Sequence, residues 1–175
     1  MSGTVVDEPV RAPDLESRAS DDHHEALRLW LRLLTCTTMI ERGIRRRLRE
    51  RYAMTLPRFD LMAQLERSPA GLRMGELSRR MMVTGGNVTG IADQLVAEGL
   101  VERRAVPGDR RVQTLALTER GRAAFGEMAR EHERWIVEMT GALASGEVDR
   151  LHDLLGRLKA SVRSREPDTG IAQEG

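Results

Sequence analysis

Residues 73–118 constrain the fold of this chain more than any other stretch. An amphipathic segment at 74–82 is broken by the turn Val83-Thr84-Gly85-Gly86, and a second amphipathic segment follows at 87–98. Gly99 then ends the second segment as a left-handed cap. Two runs of strand-forming residues, 100–106 and 112–117, flank Pro107-Gly108-Asp109-Arg110, which has the residue types of a tight turn. Helix, turn, helix and hairpin in that order predict a mainly α chain with a small β-hairpin wing, the arrangement of a winged helix-turn-helix.

The second of the two helices has an unusual outer face. Val88, Ile91, Ala92, Leu95 and Val96 recur at steps of three and four and mark its buried side. The opposite side carries Asn87, Thr89, Gly90, Asp93 and Gln94. A helix face that needs only to be solvated usually carries long charged side chains; these residues are short and able to hydrogen-bond. Gly85 and Gly86 leave its start bare, so backbone can approach a groove closely and the positive helix end can face phosphate. Asn and Gln can pair bidentately with adenine, and a Thr methyl can touch a thymine methyl. The expectation is a DNA-reading helix, with Thr84 in the turn before it.

On the preceding helix, Met74, Leu77 and Met81 share a core-facing side, while Arg79 and Arg80 point elsewhere and are candidates for phosphate contact. Arg103, Arg110 and Arg111 supply positive charge to the hairpin. Arginine suits insertion into a narrow minor groove, where the potential is most negative. Asp109 lies too close to these arginines to act as an independent repellent charge and is expected to brace Arg111.

The flanks read as pairing apparatus. The first helix is expected at 24–52, with one apolar stripe at Leu29, Leu33, Cys36, Ile40, Ile44 and Leu48 and a second at Leu27, Trp30, Leu31 and Leu34. Two stripes predict burial on more than one side. Its basic end, Arg45-Arg46-Arg47-Leu48-Arg49-Glu50-Arg51, suits the negative end of the macrodipole. The next helix starts near Thr55-Leu56-Pro57, with Thr55 as cap and Pro57 in the first turn, and Ser68-Pro69-Ala70-Gly71 ends it. After the hairpin, Thr118 caps a long helix carrying Phe125, Met128, His132, Trp135, Met139 and Leu143, and Ser145 is expected to cap a last one. Val148, Leu151, Leu154, Leu155, Leu158 and Val162 repeat there as in a helix-pairing seam. Residues 1–22 and 164–175 show no period and read as a mobile arm and a flexible tail.

Composition narrows the function. The net charge of +1 excludes a globally basic nucleic-acid coat, so any DNA-binding surface must come from local charge placement. One cysteine excludes an internal disulfide and a multi-cysteine zinc site. The four histidines show no spacing with carboxylates or Cys36 that would make a nucleophile or metal site. Neither an enzyme, a cofactor nor a metal is expected. No apolar run approaches the ~18 residues of a membrane span, and no secretory signal is visible, so the expected location is the cytoplasm.

Asp109-x-Arg111, with Leu117-Thr118 downstream, resembles the wing signature of the MarR (multiple antibiotic resistance regulator) family. Met74-x-Glu76-Leu77-Ser78, Gly85-Gly86-Asn87-Val88-Thr89 and Leu95-x3-Gly99-Leu100-Val101 resemble that family's third helix, recognition helix and exit into the wing. The resemblance covers about residues 27–163. It implies a MarR-type domain at 23–163, with the winged helix-turn-helix at 55–118 and dimerisation helices at 24–52 and 119–163. It further implies a homodimer on a near-palindromic operator, with Arg111 as the minor-groove arginine and repression as the commoner role. A small effector would lie in a crevice between the dimer region and the lobe, where Trp30, Met39, Arg58 and Met62 are candidates. The Met-x-Val-Thr-Gly-Gly-Asn-Val-Thr-Gly form is similar to regulators of aromatic-acid catabolism, which implies an aromatic acid or its acyl-CoA thioester. One branch of the family senses oxidants through a cysteine in the first helix. Cys36, inside an apolar stripe, is expected to be a buried structural thiol rather than such a sensor. Two alternatives remain: a winged-helix module that binds protein instead of DNA, and a thiol-based redox-sensing regulator that uses Cys36.

Overall fold

The computed structural model describes residues 25–81, 85–106 and 109–165, and their side chains except at 85–87, 106 and 109–112. Contacts divide the chain into two units, one up to Glu133 and one from Arg134 onward. The first holds α1 (Glu25–Tyr52), α2 (Leu56–Glu66), β1 (Leu72–Arg73), α3 (Met74–Met81), α4 (Gly85–Ala97), β2 (Val101–Val106), β3 (Asp109–Leu117) and the first part of α5 (Glu119–Thr140). The end of α5 and all of α6 (Ser145–Arg165) form the second. This is the expected mainly helical chain with a hairpin wing.

In the first unit α2, α3 and α4 pack on one another and on the sheet. The core is mostly aliphatic: Leu48, Leu61, Met62, Leu65, Leu77, Val88, Leu95, Val101, Leu115 and Leu117 are essentially inaccessible. Each sits at the inner position of its helix or strand, as the periodicities require. The sheet has one strand more than expected. β1 pairs antiparallel with β3, Leu72 opposite Leu115 and Arg73 opposite Thr114, so the strand order is β1-β3-β2. Gly71, with φ +91°, admits this strand: a Cβ there would meet the Leu115 carbonyl oxygen at 2.9 Å.

The element ends follow capping chemistry, with three departures. Thr55 occupies the N-cap position of α2 but makes no side-chain cap bond, and a proline in the first turn serves instead. For α6 the Glu147 carboxylate accepts from the Ala144 amide at 2.8 Å, while the Ala144 carbonyl accepts from the Glu147 and Val148 amides. Ala144 is therefore the cap position and Ser145 the first residue of the helix. At the end of α1 the chain turns through Ala53, the one described non-glycine residue at positive φ (49°). The Ala53 amide donates to the Arg49 carbonyl and the Met54 amide to the Leu48 carbonyl. A side chain in this region costs about 1 kcal/mol. Ala53→Gly is accordingly expected to stabilise the protein by about 0.5–1 kcal/mol, the lost strain being partly offset by a freer unfolded chain. Urea unfolding of the two proteins checks it.

The first half of α1 departs most from its two-stripe reading. Only Ile44 and Leu48 of that helix are buried, whereas Leu27, Leu29, Trp30, Leu34 and Met39 are exposed. Cys36 is exposed as well, not buried, because among the described residues nothing covers its part of α1. The apolar seam of α6 is equally open, from Val148 to Val162.

Candidate nucleic-acid interface

The helix-turn-helix is held from behind by its own core. Val88, Ile91, Ala92 and Leu95 of α4 are buried, so Thr89, Gly90, Asp93 and Gln94 face outward and are exposed. The C-terminal end of α4 is fixed at several points. Gly99, with φ +67°, lets the Leu100 amide donate to the Leu95 carbonyl and the Gly99 amide to the Val96 carbonyl, the bond pair of a Schellman ending. The Arg120 guanidinium donates to the Glu98 carbonyl at 2.9 Å. The Glu98 carboxylate in turn takes Arg58 of α2 as its partner.

The wing is anchored at its base by Thr118. The Thr118 amide donates to the Leu100 carbonyl, and its hydroxyl donates to the Gly99 carbonyl at 2.8 Å and accepts from the Gly121 amide at 2.9 Å. One threonine thus ends the α4–β2 connection and caps α5. At the far end, Val106 pairs with Asp109 and Ala105 with Gln113. The three residues between on β3, Arg110, Arg111 and Val112, form a bulge without partners in the β2 register.

The structure sorts the expected DNA residues into groups. Arg79 is exposed on α3, with Thr89, Gly90 and Gln94 on the outer face of α4. Arg80 is turned onto its own surroundings, donating to the Glu76 carboxylate at 2.5 Å and to the Ser68 hydroxyl at 3.2 Å. Asp93 and Arg103 are joined as an ion pair between α4 and β2, which neutralises both and ties α4 to the wing. Gly85, Gly86 and Asn87 open α4, and Asp109, Arg110 and Arg111 lie on β3; the side chains of Asn87 and of these last three, and Thr84 altogether, lie outside the described residues.

The four effector candidates are not brought together. Trp30 and Met39 are exposed on α1, Met62 is fully buried, and Arg58 is committed to Glu98. A different cavity, of about 420 Å³, lies between α2, α3 and α5. Phe59 and Phe125 stack at 5.3 Å between ring centroids, and Phe59 and His132 at 5.1 Å, along one side of it. Asp60, Arg67 and Arg80 supply its polar groups. Burial lowers the His132 pKa below 6.5, favouring a neutral imidazole, and raises that of Asp60 above 3.8; for Asp60, Arg45 acts in the opposite direction and Glu41 in the same one. The sequence carried a faint signal for this site, since Phe125 and His132 stand seven residues apart on one side of α5.

This architecture has known counterparts. The sequence model of the MarR family matches residues 54–112. The solved structure of a MarR family transcriptional regulator from Silicibacter pomeroyi is 31% identical, and the match covers 82% of this chain and 99% of that one, with a TM-score of 0.67. The chain belongs to the MarR family. A cysteine-to-serine variant of Escherichia coli MarR, solved in complex with operator DNA, is 25% identical over 79% of this chain and 99% of that one, with a TM-score of 0.68. The transcriptional repressor MprA of Escherichia coli is 31% identical over 103 residues, 59% of this chain. The chain spans 58% of the length of MprA, less than two thirds of that relative. The family match runs from Met54, at the start of the α2 region, to Val112 in the wing, so it takes in α2, α3, α4, β2 and the start of β3. Among the described residues no helix is long and apolar enough to cross a membrane.

Proposed function

We propose that this MarR-family chain is a ligand-responsive repressor that binds a near-palindromic DNA operator as a homodimer. The observation that carries the reading is the outer face of α4. It is exposed, short and polar, it is held rigidly from behind, and it stands beside a bulged basic wing strand. The relative solved in complex with operator DNA supports duplex DNA as the partner, and on this reading α4 enters the major groove and the wing meets the neighbouring minor groove. Arg79, Thr89 and Gln94 are assigned to contact DNA directly, with Asn87 at the start of α4 and Arg111 on the wing. Asp93 and Arg103 are assigned a positioning role through their mutual ion pair. Two lobes one helical turn apart need a rigid link. The uncovered apolar stripes of α1 and α6 support a second copy of this chain as that link. Repression requires only occupancy of the operator and no further contact surface.

For the effector, the cavity between α2, α3 and α5 supports a small aromatic acid. Aromatic rings at Phe59, Phe125 and His132 offer an apolar wall, and Arg67 offers charge for a carboxylate. A CoA thioester would place its acyl group here and its nucleotide outside, since the cavity lies at the small end of ligand sites.

The test uses a duplex selected by the wild-type protein from a random-sequence pool. Arg111→Ala is expected to weaken binding to that duplex at least about tenfold, as for loss of about 1.4 kcal/mol or more of groove contact. Unchanged affinity would remove the wing from the proposal.

A further inference from the structure

The outermost ridge of α4 is nearly bare of side chains. At 100° per residue, the positions opposite the buried stripe of Val88, Ile91, Ala92 and Leu95 are Gly86, Gly90, Asp93 and Ala97. Gly90 sits in the middle of that ridge. A Cβ there would meet nothing within 4 Å, so no neighbour in the folded chain requires glycine. Its φ is not in the left-handed region, where glycine is favoured; the described positive-φ glycines are Gly71 and Gly99. Glycine in a helix interior is nevertheless among the poorest choices available. The local structure is therefore served worse by Gly90 than by alanine, and the free protein offers no reason for it. Asp93, the one longer side chain on the ridge, is turned to Arg103. Thr89 and Gln94 flank the ridge on its two sides.

From this geometry we propose that Gly90 is a specificity-determining position of the DNA-reading surface. Its missing side chain lets the α4 backbone seat against the floor of the major groove, so that Thr89 and Gln94 reach base edges from either flank. The inference rests on the proposed DNA reading of α4 and adds a role for one residue within it. A side chain at 90 holds the helix away from the bases. The cost falls on base reading, which needs contact at hydrogen-bond distance, and much less on phosphate attraction, which acts at longer range.

The experiment compares wild type, Gly90→Ala and Gly90→Leu, with Gly126→Ala on α5 as a control for added helix propensity. Each is measured for melting temperature and for affinity to the selected duplex and to a scrambled duplex of the same length. Gly90→Ala is expected to raise the melting temperature by a few degrees, yet to weaken binding to the selected duplex by about tenfold. Gly90→Leu is expected to weaken it further, with binding to the scrambled duplex changed less than about twofold for both. Gly126→Ala is expected to keep the wild-type affinities. Unchanged affinity of both Gly90 variants for the selected duplex overturns the role of Gly90 and leaves the DNA reading of α4 intact. An equal loss on both duplexes overturns it too, since base reading would not be what was lost. A wild-type protein that does not distinguish the two duplexes overturns the DNA reading itself, and the role of Gly90 with it.

Discussion

Gly121→Ala is expected to destabilise the first unit by about 3 kcal/mol or more, a value reserved for severe overpacking. The reason is backbone against backbone. A Cβ at 121 would stand 1.9 Å from the Leu100 carbonyl oxygen and 2.8 Å from its carbon. No rotamer change can relieve that contact. The first turn of α5 would have to lift off the start of β2, breaking the Thr118 hydroxyl bonds to Gly99 and Gly121 that join wing and helix. Thermal unfolding should show a fall on the order of 10 °C. Alanine at Gly126, on the same helix, offers a comparison. There a Cβ meets only the end of the Arg130 side chain, at 3.8 Å, and the substitution should raise stability slightly. Equal, small effects at both positions would show that α5 does not cross β2 as closely as described.

The second large effect is expected at Glu98. The Arg58 side chain is 11% exposed, its Nε lacks a hydrogen-bond partner, and Glu98 is the partner of its charge. Removing the carboxylate by Glu98→Ala strands a mostly buried guanidinium, which should cost about 2–3 kcal/mol, below the full buried-pair value because Glu98 is itself half exposed. Arg58→Met removes the cation and keeps much of the packing, so it should cost less than Glu98→Ala. The double variant should resemble Arg58→Met alone. Urea unfolding of the four proteins measures the cycle, and additive single effects would contradict the pairing. The pair also clamps the exit of α4 onto α2, so its loss should loosen α4 at the end nearest the wing.

Much of this fold was legible before any coordinates, because it is written in local patterns. Periods of three and four set the helices, and Gly99 and Thr118 marked their ends. The turn residues at 107–110 placed the wing. What escaped has two physical sources. β1 is two residues long, too short to carry an alternating pattern, and it exists because Gly71 lets the chain pass over Thr114 and Leu115. The other source is pairing across elements. Nothing in the sequence joins Asp93 to Arg103 or Arg58 to Glu98, so residues read as open to a ligand or to DNA turn out to hold each other. The effector candidates show the same limit by a single step: Arg58 faces Glu98, whereas Phe59 and Asp60, 100° and 200° further round α2, line the cavity. The two-stripe reading of α1 identifies a real apolar surface but not its cover, since among the described residues the first half of that helix stays open. The same pattern predicts an interior Cys36, which is exposed for the same reason.

The central claim is that two copies of α4 and the wing, rigidly linked, read one operator. Equilibrium binding of the purified protein to the selected duplex and to its scrambled counterpart, followed by fluorescence anisotropy across a salt series with the stoichiometry fixed at high concentration, tests it most directly. The account predicts two chains per duplex, an affinity for the selected sequence at least about a thousandfold above that for the scrambled one, and a steep linear fall of log K with log salt. One chain per duplex, or equal affinity for both sequences, would contradict it.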